Sequence, residues 1–360
     1  MSRRRQEGEP PAPRTRLTLA RRLAVGAASG LATLALAILV FVLWGLWSFS
    51  SPGPAARAGG QTTVLLRHGA GLPEIAQDLE DSNVVRSASI FMAAAQVTGA
   101  SRSLKAGEYT FPSHASLGAV LDRIRHGRIV RHLITVPEGA TSEQAVDLLM
   151  ASDVLTGSAP VPPEGSILPE TYEVVRGDDR AGVLQRMMAA RDRLVSDLWP
   201  RRRMDLPFKT PEEAITLASI VEKETGKADE RPRVAAVFVN RLAKGIRLES
   251  DPTIIYDISK GRPLGRGIRQ SELQAATPHN TYQITGLPPT PICNPGKAAI
   301  AAALSPPHTD DLYFVADGTG GHAFAATFEE HLRNVARWRQ IERGATSADS
   351  PFNGGPLRGR

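Results

Sequence analysis

The chain of 360 residues contains a single cysteine, Cys293, so no intramolecular disulfide can form and no metal cluster can be assembled from thiolates. A lone thiol is safest packed as a small apolar side chain, and burial is what we expect of Cys293. The eight His fall in no HxxxH or HExxH spacing, so neither a metal nor a cofactor is expected. A general excess of positive charge is also missing. The formal net charge of +6 is carried almost entirely by residues 1–22, where seven Arg face only Glu7 and Glu9, leaving about +1 for all that follows. That distribution argues against a nucleic-acid partner, which needs a basic patch on the folded part.

The stretch from Leu23 to Phe49 has no charge at all and is rich in Leu, Ala and Val. It exceeds the roughly 20 residues that cross a bilayer core, and Trp44, Trp47 and Phe49 stand where an interfacial belt would. A cleaved signal peptide would have a shorter apolar region of about 7 to 15 residues and a small-residue cleavage site after it. We therefore read a retained transmembrane helix. The flanking Arg put the N-terminus in the cytoplasm and everything after Ser50 outside it.

Residues 50–61 are Pro, Gly and small side chains, the composition of a flexible tether. From Thr62 a unit then recurs in which an extended apolar run, a turn and a short amphipathic helix follow one another. It appears as TTVLLRHGAGLPEIAQDL, GEYTFPSHASLGAVLDRIRHG and HLITVPEGATSEQAVDLLM, with helical apolar spacing at Ile75 and Leu79, Val120 and Ile124, and Val146 and Leu149. A Pro-rich connector over 160–170 leads to a strand, TYEVVRGD, and to a helix over 179–198. The pattern is α+β.

The densest stretch runs from Thr210 to Tyr256. Thr210 as cap, Pro211 in the first turn, Glu212 and Glu213 at the positive end of the dipole and Gly226 as stop predict a helix of about four turns. On it Ile215, Ala218, Ser219 and Glu222 share a stripe, whereas Glu224 is rotated about 200° away. A carboxylate on a partly apolar face tends to hold its proton toward neutral pH and can then donate it to a leaving group. Asp229 can cap a second helix, with Val234, Val237, Phe238 and Leu242 buried and Gly245 at its end. Asp251 and Pro252 predict a turn before a short strand. The loop HNTYQITGLPPTPICNPG, 279–296, is stiffened by four prolines, and its Asn280 and Tyr282 form the amide and aromatic pairing that suits a pyranose ring. LYFVA, DGTGG and HAFA predict a hairpin, followed by a capping box of Thr327 and Glu330.

IVEKETGKADERPRVAAVFVNRL, LESDPTIIY and HNTYQITGLPPTPICNPG together resemble the YceG-like (MltG) family of endolytic murein transglycosylases. The resemblance extends through LKAGEY, VPEGATSEQ, EGSILPETYEV and YFVADGTGGHAFAATFEEH, and Glu164, Glu170 and Tyr172 resemble family positions. It implies Glu222 as catalytic acid, with Asn240, Asp251, Thr253, Tyr256, Asn280 and Tyr282 positioning the sugar and the acid. It further implies a LysM-like β-α-α-β module at the start of the folded part, peptidoglycan glycan strands as substrate and peptidoglycan synthases as partners. The expected organisation is a basic cytoplasmic tail (1–22), a transmembrane helix (23–49), a linker (50–61), a LysM-like α/β region (62–160), a YceG-like catalytic domain of helices and short strands (161–342) and a disordered tail (343–360). The rival readings are a membrane-tethered glycan-binding scaffold and a lysozyme-type hydrolase with two carboxylates.

The Arg asymmetry predicts that a reporter fused after Arg360 is extracytoplasmic and that the chain resists extraction by alkali. Release of a soluble ectodomain as the main form would instead identify 23–49 as a cleaved signal.

Overall fold

The computed structural model describes residues 19–348. They divide into two compact units, one closing at Val130 and the next opening at Arg131. The first contains α1 (Leu19–Ser50), β1 (Gln61–Leu66), α2 (Leu72–Asp81), α3 (Ala88–Val97), β2 (Gly107–Pro112) and α4 (Leu117–His126). The second contains β3 (His132–Thr135), α5 (Ser142–Ala151), β4 (Thr171–Val174), α6 (Arg180–Leu198), α7 (Pro211–Glu224), α8 (Arg231–Ala243), α9 (Asp251–Ser259), α10 (Gln270–Leu273), α11 (Lys297–Leu304), β5 (Tyr313–Ala316), β6 (His322–Ala325) and α12 (Phe328–Ala348). The strands form three separate antiparallel pairs, β1 with β2, β3 with β4 and β5 with β6, so helices and short hairpin-like pairs alternate without a common sheet.

Within the first unit, Leu23–Ser50 is a helix of 28 residues with mean hydropathy 2.3, long and apolar enough to cross a membrane. An anchor and a signal sequence share that property. Most of the basic tail lies outside the described residues. The stretch 50–61, expected as a flexible tether, is instead tied down through its own carbonyls. Arg86 Nη2 donates to Pro52 O (3.0 Å), His114 N to Pro54 O (3.0 Å) and Asn83 Nδ2 to Ala55 O (2.8 Å). Its small residues are what let those donors reach the backbone. Pairing from Gln61↔Pro112 to Leu66↔Gly107 turns Val64 and Leu66 inward onto Leu79, Phe91, Tyr109, Phe111 and Ile124, all buried.

The third βα repeat belongs to the second unit. Its β3 pairs with β4, His132↔Val174 to Thr135↔Thr171, across the junction drawn at 160/161 from the sequence. A strand cannot leave its partner's unit without exposing the ladder, so the compact units part before β3.

Helix α7 lies at the centre of the second unit. Its N-terminus is closed by a capping box in which Thr210 Oγ1 accepts from Glu213 N (3.2 Å) and Glu213 Oε2 from Thr210 N (2.9 Å). Eight successive residues, Ala214 to Val221, are buried. The helix is therefore not the amphipathic one that a single stripe suggests. Its small Ala214, Ala218 and Ser219 admit Val234, Ala235 and Phe238 of α8 on one side and Ala299, Ile300 and Ala303 of α11 on another.

Several local expectations are corrected. Helix α7 stops because Thr225 turns extended (φ −139°, ψ 131°), not through Gly226, which is not among the left-handed glycines. Glu230, not Asp229, occupies the N-cap of α8, and its side chain makes no capping bond. Residues 251–259 form α9 in place of a turn and strand, because Pro252 fits a first helical turn and Asp251 meets the positive end of the dipole. Helix α12 runs on to Ala348, into the expected disordered tail, whose remainder lies outside the described residues.

The Pro-rich loop is anchored by Asn294, which is fully buried. Its Nδ2 donates to Ala140 O (3.1 Å), Ser142 Oγ (3.2 Å) and Glu164 Oε1 (3.2 Å), and its Oδ1 accepts from Ile167 N (3.0 Å). Removing the amide strands several buried polar groups at about 1–3 kcal/mol each, so Asn294→Ala is expected to cost roughly 3 kcal/mol or more. The midpoint of denaturant unfolding checks this, and an unchanged midpoint would mean that water replaces the amide without loss.

Candidate active site

Helix α7 ends on Glu224, whose carboxyl is carried past the buried core to the start of α9 and the β5–β6 hairpin. There Ser250 Oγ donates to Glu224 Oε1 at 2.5 Å. The residue as a whole keeps some exposure, but its carboxyl is enclosed by protein. Burial pushes its pKa up to about 7 and the Asp251 charge adds to this, while the Ser250 hydrogen bond and Arg241 oppose it. The negative end of the α7 dipole also disfavours the carboxylate. A carboxylic acid that holds its proton near neutral pH is the group that general acid catalysis requires.

Glu224 opens into a cavity of about 410 Å³ lined also by Arg241, Glu249, Asp251, Tyr282 and His331. Tyr282 Oη donates to Asp251 Oδ1 at 2.7 Å, and burial, then this carboxylate, drives the Tyr282 pKa far up. Arg241 is a buried cation that holds the wall. Its Nε donates to Leu312 O (2.6 Å), and its Nη1 donates to Arg247 O (2.9 Å), Leu248 O (3.1 Å) and Glu249 Oε2 (3.1 Å). Glu249 sits at φ +54°, a left-handed conformation unusual for a non-glycine residue, and the Arg241 bonds together with Glu249 N donating to Thr281 O (3.2 Å) keep it there.

Of the residues singled out in the sequence, Asp251 and Tyr282 meet at this cavity. The others support it from behind. Asn280 is fully buried, and its Nδ2 donates to the carbonyls of Glu272, Leu273 and Ala275. Thr253 is equally buried, donates to Ser250 O (2.6 Å) and lies 3.0 Å from Thr281 Oγ1. Tyr256 Oη donates to Glu164 Oε2 at 3.4 Å, and its pKa is pushed up to about 12, chiefly by burial. Asn240 Nδ2 donates to Thr309 O (2.8 Å) and Asp311 O (2.9 Å), fastening α8 to the segment before β5.

Glu222 lies elsewhere. Its Oε2 accepts from Gly296 N (2.8 Å), and its Oε1 stands 3.5 Å from Arg231 Nη2, which is also 3.6 Å from Glu138 Oε2. Burial raises its pKa and Glu138 adds to this, while the Gly296 amide, Arg231 and Lys223 lower it. A Cβ on Gly296 would fall 2.0 Å from Glu138 Oε1, so a larger residue there would have to displace the Glu138 side chain. Both Glu222 oxygens are thus engaged in fixing the 294–296 backbone to α7 and α8.

Glu224, Arg241, Glu249 and His331 line the cavity without having been proposed as site residues, and neither had Ser250, which is buried and bonded to Glu224. The one sequence signal for Glu224 is its place as the second glutamate of IVEKE, at the last residue of the helix. Among the described residues, no group of three or more His, Cys, Asp or Glu is arranged to hold a metal ion.

An open carboxyl-lined cleft at the end of a buried helix defines a candidate glycosidase-like site. The YceG-like family matches residues 64–337, and the chain belongs to it. It is 28% identical over 315 residues to the endolytic murein transglycosylase of Bacillus subtilis (strain 168), covering 78% of this chain and 86% of that one. To the endolytic murein transglycosylase of Streptococcus pneumoniae serotype 2 it is 29% identical over 323 residues, 76% of this chain but 58% of that longer one. A crystal structure of a yceG-like protein from Listeria monocytogenes is 28% identical, covers 77% of this chain and 99% of its own, and gives a TM-score of 0.48.

The raised Glu224 pKa carries a stability signature. Between the ordinary value of 4.5 and about 7 the folded protein binds the proton that the unfolded chain has released, so stability falls as pH rises through that window. Glu224→Gln removes this dependence. Its melting temperature relative to wild type is expected to rise from about pH 4 to about pH 8, and a difference that stays constant with pH would mean that the carboxyl titrates normally.

Proposed function

We propose that the chain is a membrane-anchored endolytic murein transglycosylase whose acid is Glu224. Its substrate is the peptidoglycan glycan strand, cut at the β-1,4 bond between N-acetylmuramic acid and N-acetylglucosamine. The observation that carries this reading is the enclosed Glu224 carboxyl, proton-bearing near neutral pH and open to the carboxyl-lined cavity. The names of the relatives supply the substrate class. Glu222, the acid implied by the sequence resemblance, becomes the residue that holds the loop behind the site.

In the proposed reaction Glu224 protonates the glycosidic oxygen as the bond from that oxygen to the muramoyl C1 breaks, and the N-acetylglucosamine leaves with a free 4-hydroxyl. The muramoyl C6 hydroxyl then attacks C1 and returns its proton to Glu224. A 1,6-anhydro end forms, Glu224 is regenerated and no water is consumed. One acid-base group suffices because the nucleophile is already tethered to the reacting sugar. Asp251 and Tyr282 orient the sugar, and Ser250 holds Oε1 so that Oε2 faces substrate.

The same cavity favours one alternative, a lysozyme-type hydrolase, since Glu249 and Asp251 offer second carboxylates. The β-α-α-β order of the first unit supports a LysM-like glycan-binding role for it. Cleavage of nascent strands beside the synthases, ending glycan polymerisation at the outer face of the cytoplasmic membrane, is the cellular role we assign.

Digestion of glycan strands by the full chain in detergent tests the reading. Glu224→Gln is expected to lose about 10² to 10⁴ in rate, while Glu222→Gln keeps the larger part of its activity. The reverse order would return the acid role to Glu222. In ¹⁸O water the new muramoyl ends are expected to carry no label, and labelled reducing ends would establish hydrolysis.

A further inference from the structure

A second cavity, of about 600 Å³, lies against Glu224 and is lined also by Thr225, Gly318, Gly320, Trp338 and Ile341. Glu224 is the one lining residue that it shares with the carboxyl-lined cavity. The same two elements extend along both. The β5–β6 hairpin contributes Phe314 and Val315 to the first cavity and Ala316 and the turn glycines to the second, and α12 contributes His331 to the first and Trp338 to the second. His331 and Trp338 are seven residues apart, so they face the same way two turns along the helix, about 10 Å from one another.

The 317–321 turn, which lines this cavity together with Trp338, is closed by its own hydrogen bonds. Asp317 Oδ1 accepts from Thr319 N (2.8 Å) and Gly321 N (3.2 Å), closing the hairpin turn, and Glu230 Oε1 accepts from His322 N (3.1 Å). Gly318 and Gly320 take φ +86° and +81°, and a Cβ on Gly320 would project into open space. A Cβ on Gly318 would meet Ile341 Cδ1 at 3.0 Å, and at its glycines the turn presents backbone to the cavity. Trp338 is half-buried on α12 and offers an indole at the cavity.

The geometry points to a second sugar subsite, with Trp338 as the platform on which a pyranose ring stacks and the 317–321 turn as a second wall. We infer that Glu224 stands between two saccharide-binding cavities and that the Trp338 cavity takes an N-acetylated β-1,4-linked pyranose on the far side of the bond cut at Glu224. A strand occupying both cavities at once passes through the site, the arrangement that internal cleavage requires. An indole contributes apolar area at low entropic cost, and the hairpin is held in shape before the sugar arrives. This inference rests on the proposed glycan substrate.

The test uses the full chain in detergent, with a β-1,4-linked N-acetylglucosamine hexamer as probe. The tryptophans are Trp44, Trp47, Trp199 and Trp338, and Trp47 lines a pocket beside Val84 and Ile90 of the first unit, so the fluorescence is read throughout in a Trp47→Phe background. The hexamer is expected to change the indole fluorescence saturably in wild type and in Glu224→Gln, and this response is expected to vanish in Trp338→Phe. With glycan strands as substrate, Trp338→Ala is expected to raise KM at least about tenfold with kcat changed less than about threefold, the loss typical of a buried aromatic anchor. Trp338→Phe, which keeps a ring, is expected to restore KM to within a few-fold. A fluorescence response that persists in Trp338→Phe, or an unchanged KM in Trp338→Ala, overturns the subsite. A kcat loss in Trp338→Ala that Trp338→Phe does not repair overturns it as well, since that assigns the residue to the fold. If wild type leaves glycan strands intact while the Trp338-dependent response remains, the subsite stands and the proposed reaction falls.

Discussion

The burial of α7 on every side is the constraint from which the site follows. Eight consecutive residues are enclosed by α8, α11 and the 292–293 backbone, so the helix can neither roll nor slide, and its last residue occupies a fixed point. Ser219 shows how closely the layers meet. Its Oγ donates to Thr216 O (2.7 Å) and accepts from Ile292 N (3.0 Å), while its carbonyl accepts from the Cys293 thiol (3.3 Å). The lone cysteine is fully buried there and its pKa is pushed well up by that burial, the environment of an inert packing residue. A helix anchored in this way can bear a desolvated carboxyl at its end, because the cost of keeping Glu224 out of water is spread over the packing of the whole element.

The polar residues divide into those that reach the cavity and those that shape what surrounds it. Asn280 and Asn294 have the chemistry of sugar-binding amides, yet both are fully buried: Asn280 donates to backbone carbonyls, and Asn294 donates to a backbone carbonyl and to the Ser142 and Glu164 side chains. Loop 279–296 has too many prolines to form a ladder, and buried asparagines supply the donors that the prolines lack. His279 belongs to the same framework, its Nδ1 2.7 Å from Asp257 Oδ1 and its Nε2 2.8 Å from Thr290 Oγ1. The loop is thereby a solid support for Tyr282, and through Thr281 for Ser250, whose amide donates to Thr281 Oγ1 at 2.9 Å. Glu222, with Gly296 and Arg231, does the same at the other end of the loop.

The two glutamates of one short motif thus divide the work according to where they leave the helix. Glu222 points back onto the loop and is held there by the Gly296 amide and the Arg231 guanidinium. Glu224 leaves at the point where the helix ends, so it meets a hydroxyl, a neighbouring carboxylate and open cavity. The same intrinsic acid acquires two different electrostatic surroundings two residues apart, and only one of them leaves an oxygen available to a ligand.

The family, the apolar helix near the N-terminus, the βα repeats, the position of α7 with its Thr210 cap, and the burial of Cys293 were all legible in local pattern. Periodicity, caps and ordered strings of residues act over a few turns and survive without tertiary context. Asp251 and Tyr282, each standing in a distinctive string, were singled out for the same reason, and both line the cavity beside Glu224. Which glutamate faces the cavity was not legible, because a helical wheel describes directions around an axis and cannot say which directions are filled. The amphipathic stripe that favoured Glu222 dissolved once neighbours covered every face of α7. The tying down of 50–61 and the parting of the units before β3 were decided by partners distant in sequence, as were the supporting roles of Asn240, Thr253 and Tyr256. Composition and spacing carry no record of such partners, since a hydrogen bond across many tens of residues exists only when the chain has folded.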